Sequence, residues 1–207
     1  MQLEVLLKGQ TAVPATLNCD GNIIVRGVPQ PGDNQQPLEV RGQRLFVDKL
    51  DTKTPRITLH GTAAGSGASI PNGGAKQLAQ LSSHGTTLLT DTVEIEGRDN
   101  HMWSDGPGEA TVQMAKDLQG NPTATPTPVK ICWQNGLRFD GQTVMFNQNV
   151  TVASADTTLK CDRMLARLAA PLKFGERFEQ STASFSQIDC EGLVTIENLS
   201  RDAGGLT

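Results

Sequence analysis

From Val144 to Leu168 the chain alternates apolar and polar residues in two short runs. Val144, Phe146, Val150 and Val152 share one parity in the first run. In the second, Leu159 and Cys161 share a parity that resumes, shifted, at Met164, Ala166 and Leu168. A period of two in side-chain direction belongs to a strand with one buried face. The intervening Ala153-Ser154-Ala155-Asp156-Thr157 is small and polar, as a turn requires. The pattern predicts a hairpin-like pair of strands with one dry and one wet face. Met164, Leu165, Leu168 and Leu172 also have helical spacing, so a helix over Cys161 to Leu172 is the competing expectation.

Repetition decides for strand. Leu17 to Val25, LNCDGNIIV, aligns without gaps on Val144 to Val152, and Ile188 to Ile196, IDCEGLVTI, aligns on both. The second run recurs too, with Leu38, Val40, Leu45 and Val47 matched to Leu159, Cys161, Ala166 and Leu168. That copy contains Gly42 and no helical stripe. Each second run then meets a proline and another strand-like stretch, Pro55 to Leu59 and Pro171 to Phe174. The chain is read as a degenerate repeat of strand pairs.

Taken in order, Leu3 to Leu7 is expected to be an edge strand, and Gly27 to Pro37 an exposed, proline-rich hairpin loop. Arg56 to Gly61 is the next strand. Gly61 to Gly74 is glycine-rich but lacks the ending and context of a phosphate loop. Ala75 to Ser82 is expected as two turns of helix or a surface loop. Thr86 to Gly97 resumes strand, with Val93 and Ile95 inward and Glu94 and Glu96 outward. Asp105-Gly106-Pro107-Gly108 signals a turn before a strand at Glu109 to Met114. Trp103 is expected on the core wall or capping one end. Lys116 to Pro128, with its spaced prolines, is expected as a loop or linker. Val129 to Trp133 and Leu137 to Phe139 lead back to the opening unit. One repeat-built domain over 1–207 follows: a unit at 15–61, an irregular middle at 62–128, a unit at 129–178 and a partial unit at 185–207.

Composition narrows the function classes. The 207 residues hold 18 Lys plus Arg against 22 Asp plus Glu, a formal net charge of -4. A general nucleic-acid binder needs a basic footprint, so nucleic acid is not an expected partner. No apolar run is long enough for a membrane-spanning helix. With 37% hydrophobic residues and no Tyr, the core is thin, which suits an elongated β structure. The N-terminus lacks the basic leader and apolar run of a signal peptide. The last residues read as the first strands of a further unit, so the chain is expected to be part of a longer protein.

Candidate chemistry is sparse. His60, His84 and His101 have no metal-ligand spacing, and neither a metal nor another cofactor is expected. Cys19, Cys132, Cys161 and Cys190 form no CxxC pair. Cys19, Cys161 and Cys190 sit at buried parity and read as small apolar wall residues. The 29-residue spacing of the last three would bring them into disulfide range only if it matched one turn of a coil. Asp91, Glu94, Glu96, Asp99 and Asp105 form an acidic cluster that could serve glycoside hydrolysis, or simply a solvated face. No serine lies in a nucleophile-elbow motif. The chain is expected not to be an enzyme.

The strand motifs resemble the OstA-like repeat. The resemblance is carried by FNQNVTVASADTTLKCDRMLARL (146–168), by CDGNIIVRG (19–27) with LEVRGQRLFVD (38–48), and in part by CEGLVTIEN (190–198). That repeat builds the periplasmic lipopolysaccharide-transport bridge and part of the outer-membrane assembly protein. The resemblance implies an all-β fold, an elongated β-jelly-roll or β-taco of stacked antiparallel strand pairs, in the periplasm or cell envelope. It implies an apolar groove for lipid or lipopolysaccharide. Its lining would be Leu17, Cys19, Ile23, Val25, Leu38, Val40, Leu45 and Val47, then Val144, Phe146, Val150 and Val152. Leu159, Cys161, Ala166, Leu168, Ile188, Cys190, Val194 and Ile196 would complete it. Implied partners are lipid and other β-taco domains, or a second copy, joined by edge-strand pairing. The insertion at 62–84 and the segments with Trp103 and Trp133 depart from the compact bridge protein. The alternatives are a closed-core scaffold, a carbohydrate-binding β domain, and more remotely a glycan-active enzyme using the acidic cluster.

Overall fold

The computed structural model describes residues 2–8, 11–27, 38–50, 52, 54–62, 77–83, 85–116, 122–171 and 185–198. Every regular element among them is a β-strand: β1 (Gln2–Lys8), β2 (Thr11–Arg26), β3 (Glu39–Asp48), β4 (Arg56–His60), β5 (Ala79–Ser83), β6 (Thr86–Thr90), β7 (Thr92–Glu96), β8 (His101–Ser104), β9 (Gly108–Lys116), β10 (Pro122–Trp133), β11 (Leu137–Phe139), β12 (Thr143–Ala153), β13 (Thr157–Leu168), β14 (Phe185–Glu191) and β15 (Thr195–Asn198). All pairings are antiparallel, and the fold is an elongated taco-like arrangement.

Its logic is a meander folded along one crease. Strands β2, β3, β12 and β13 each run across both walls. Apart from β1, which pairs with β2, the other strands come in pairs, one on each wall: β4 and β5, β6 and β7, β8 and β9, β10 and β11, β14 and β15. Thus β3 pairs β4 through residues 44–48 and β5 through residues 39–41. Likewise β12 pairs β11 through 144–146 and β10 through 151–153. The first wall therefore holds β4, β7, β8, β11 and β14, and the second holds β5, β6, β9, β10 and β15.

The crease has a local cause. Both β2 and β12 carry one extra residue where they bend, two residues opposing one on the partner strand, at Asp20/Ile23 and Asn147/Val150. Extra residues on one strand leave the ladder and bend it. Gly21 has φ +106°, while Gln148 and Asn149 have φ 65° and 50°, left-handed values that glycine and asparagine tolerate best. Elsewhere backbone hydrogen bonds close the fold. Gly136 N donates to Gly106 O at 2.8 Å, Gly61 N to Asp91 O at 2.8 Å, and Asn135 N to Asn147 O at 3.0 Å.

Register turns the alternating pattern into continuous inward rows. On the first wall one row runs Leu17, Val47, Ile57, Ile95, Met102, Phe139, Val144, Ala166, Ile188. On the second wall another runs Val25, Val40, Leu81, Leu88, Ala110, Ile131, Val152, Leu159, Ile196. A third links Cys19 to Leu45 and Leu59, and a fourth links Ser104, Leu137, Phe146, Met164 and Cys190. The walls meet: Trp133 of the second wall tilts against Phe146 of the first, ring centroids 5.2 Å apart. Trp133 also lies over Gly108, where a Cβ would overlap its ring. Leu59, Val93, Ile131, Val150 and Met164 are fully buried, each worth roughly 1.5–3 kcal/mol. Thr90 and Ser104, polar within this core, share a hydrogen bond, and Thr90 Oγ1 donates to Pro107 O at 3.1 Å.

The strand expected over 157–168 is present, and the parity shift between Cys161 and Met164 is the crease itself. Three expectations change. Ala79–Ser83 is a strand rather than helix or loop, because Leu81 joins an inward row between Val40 and Leu88. The proline-spaced segment is strand from Pro122 onward. Between Pro122 and Val129, β9 is its one neighbour among the described residues, and an edge tolerates a missing N–H. Finally, the match of the second runs slips by two. Val40, not Leu38, occupies the place of Leu159, and Leu45 and Val47 those of Met164 and Ala166. Leu38 precedes β3. The stretches 28–37 and 172–174, and the histidine at 84, lie outside the described residues.

Candidate functional site

The interior between the walls is the site that the sequence singles out. Its middle is packed. Of the expected lining, Leu45, Val47, Phe146, Val150, Val152, Cys161, Ala166 and Leu168 are buried, and Ile23 nearly so. Leu17, Cys19, Val40, Val144, Leu159 and Cys190 are half-buried against that core. The remaining positions lie at the two ends of the rows and are exposed. Val25 and Leu38 are each 44% exposed at one end, and Ile188, Val194 and Ile196 are 37–61% exposed at the other. Val25, Ile188 and Ile196 share inward rows with buried residues and, among the described residues, lack a further strand beside them. Leu193, next to Val194, is 82% exposed.

The backbone tells the same story. Strand β1 covers β2 only along residues 11–18. At the far end β14 and β15 pair with β13 alone. Among the described residues, the outer edges of β14, β15 and the second half of β2 have no partner strand. Charges flank the β2 edge: Glu39 accepts from Arg26 at 2.7 Å and from Arg41 at 2.5 Å. Those two bonds hold its carboxyl below the usual carboxylate range.

Two carboxylates of the acidic cluster are held in ion pairs. Glu94 points outward and pairs with Arg56 at 3.0 Å, and Asp105 with Arg138 at 2.6 Å. Asp91 sits at the crease and Asp99 in a turn. Among the described residues, no group of three or more His, Cys, Asp or Glu side chains is placed to hold a metal.

One cleft lies on the outer face, and the sequence reading did not find it. About 270 Å³ is bounded by His101, Trp103, Arg138, Asp140, Thr143, Met145 and Leu165, among others. Arg56 stacks over Trp103, 5.8 Å from the ring centroid. Trp103 therefore faces outward, not into the core. The outward parity of Trp103, Met145 and Leu165 was the available signal, and only the strand order β8–β11–β12–β13 brings them together. Asp140 caps the adjoining turn, accepting from Thr143 N at 2.7 Å and Gln142 N at 2.9 Å. Partial burial raises its pKa, but these bonds outweigh that and leave the net shift downward.

No protein-family model matches the chain, and the comparison with curated proteins returns no match.

Proposed function

We propose that this chain is a non-enzymatic β-taco segment of a cell-envelope protein, which binds acyl chains of lipid or lipopolysaccharide along its apolar interior and joins neighbouring segments through its sheet edges. The observation that carries this reading is that the inward rows run from β2 to β14 and β15 and are left uncovered at both ends. An acyl chain laid there gains roughly 0.8 kcal/mol per buried CH₂. The unpaired edges offer a backbone ladder to a further strand. The envelope location and the lipid class rest on the resemblance to the OstA-like repeat.

A closed-core scaffold is the second reading, favoured by the packing of the central strands, where Val150 and Ile131 are at most 1% exposed. Mass spectrometry of lipids retained by the native protein, purified without detergent exchange, separates the two. A stoichiometric acyl lipid lost in an Ile196→Asp, Val25→Asp double variant supports carriage. A folded protein repeatedly free of lipid leaves the scaffold.

A further inference from the structure

Cys161 on β13 and Cys190 on β14 stand on opposite sides of the crease, both on the inner face. Cys190 pairs with Met164, across from the first wall of β13, while Cys161 pairs with Val150 on the second. The fold at Asp162 turns these walls toward each other: Leu193 N donates to Asp162 Oδ2 at 3.3 Å, and Cys190 packs against the buried cluster that holds Cys161. Both are free, Cys161 buried and Cys190 half-buried. The other cysteines are elsewhere. Cys132 lies on the outer face of β10, paired with Thr151 and Glu109, and Cys19 is at the opposite end of the meander. The strand that Cys190 belongs to is an exposed edge. Nearly every residue from 186 to 198 is exposed, and its only described partner strand is β13.

We propose that Cys161 and Cys190 are a disulfide site: oxidation staples the last strand to β13 across the crease, and reduction releases it to fray. The oxidant is a disulfide donor, a thiol–disulfide oxidoreductase or oxidised glutathione. Access sets the order of events. Burial, reinforced by the Cys190 thiol, pushes the Cys161 thiol up to about 12, which makes it a poor first nucleophile. Cys190, the more exposed of the two, meets the donor first, and its thiolate attacks one sulfur of the donor. A mixed disulfide forms and the donor's second sulfur leaves as a thiolate. Cys161 then gives up its proton and attacks Cys190 Sγ, expelling the donor's remaining sulfur as a thiolate. The two cysteines are oxidised to one disulfide, the donor is reduced to two thiols, and the two protons lost by the protein balance the exchange. The bond closes the chain between β13 and β14, which restricts the detached states of the last strand.

The proposal stands apart from lipid binding and is tested on the full chain. The protein is equilibrated with oxidised and reduced glutathione, or with excess dithiothreitol, then alkylated and peptide-mapped by mass spectrometry. Hydrogen exchange over 185–198 is followed in parallel. The expected result is a 161–190 link, with exchange over this strand slowed by roughly tenfold or more relative to the reduced form. Cys190→Ser, at a half-buried position, is expected to fold, to form no link and to show redox-independent exchange. The proposal is overturned if the folded protein forms no 161–190 link, if Cys19 or Cys132 takes the link instead, or if exchange over 185–198 is the same in linked and reduced protein.

Discussion

Ile131 and Ile196 occupy the same inward row, joined through Val152 and Leu159, but Ile131 is 1% exposed and Ile196 is 61% exposed. Replacing each by Ala removes the same three carbons from two different surroundings. The transfer loss is about 2.4 kcal/mol for a fully buried site, at about 0.8 kcal/mol per carbon. At Ile131 a cavity term adds to it, because Ala110 and Val152 flank it and the opposing wall closes over it, so about 3–4 kcal/mol is expected. At Ile196 no cavity forms and only a minority of the side chain leaves a buried setting, so about 1 kcal/mol or less is expected. Urea unfolding, followed by Trp fluorescence and far-UV circular dichroism together, reads the difference. With a slope of about 2 kcal/mol per molar, Ile131→Ala lowers the midpoint by about 1.5–2 M and Ile196→Ala by at most about 0.5 M. If Ile131→Ala costs under about 1 kcal/mol, the walls are not packed against each other. The interior would then be an open trough along its whole length, and the closed centre would be wrong.

Gly108→Ala forces a methyl into the Trp133 ring and is expected to cost about 1–3 kcal/mol; calorimetry would show this as about 2–4 °C per kcal/mol, and an unchanged melting temperature would contradict the Trp133–Gly108 contact. Gly192→Ala meets both a φ of +90° and the Asp162 carboxylate, so hydrogen exchange at 195–198 should rise while that of β10 stays as it was. Stability should also fall on the alkaline side. The Cys161 thiol moves from 9.0 in the unfolded chain to about 12 in the folded one, so the contribution from keeping it neutral is complete below pH 9 and is lost as pH rises from 9 to 12. Reduced Cys161→Ala should lose that part of the alkaline slope in denaturant titrations at fixed pH. Arg56→Ala uncovers Trp103 on the outer face and should shift its emission to the red, with a stability loss of about 0.5–1 kcal/mol.

Parity was the readable part of this fold. Strands with one dry face, the hairpin at 144–168, and the phase of the copies at 17–25 and 188–196 all follow from it. The bulged pairs Gly21-Asn22 and Gln148-Asn149, each opposing one partner residue, occupy equivalent bends, as the gapless alignment implies. Parity also hid one error. A slip of two residues keeps every side chain on its own face, so the pattern could not distinguish Leu38 from Val40 as the equivalent of Leu159. Proline misled in the opposite direction. Spaced prolines suggested a linker at 116–128, but β10 carries Pro126 and Pro128 where β9 is its one described neighbour, so no ladder bond on its other side is lost. The outer cleft was legible only one residue at a time. Trp103, Met145 and Leu165 come from different hairpins, and strand order, which alternation does not encode, is what makes them neighbours.

The packed centre and open ends have a single origin. An inward residue of a folded meander needs three covers: a strand on each side and the wall across the crease. Central residues such as Leu59 and Val93 have all three, whereas Val25, Val194 and Ile196 lack a flanking strand among the described residues. The missing cover can be supplied by protein, as another strand continuing the rows, or by an acyl chain lying along them. Both bury the same methyl groups, at roughly 25 cal/mol per Å², and only the strand also satisfies the edge N–H and C=O groups. A neighbouring segment should therefore outcompete lipid at the strand edge itself, leaving lipid to the gap between walls at the junction. Segment joining and lipid occupancy are then coupled through the same few residues. An Ile196→Asp substitution should weaken both together, whereas a proline placed on the outer edge of β15 should weaken joining alone.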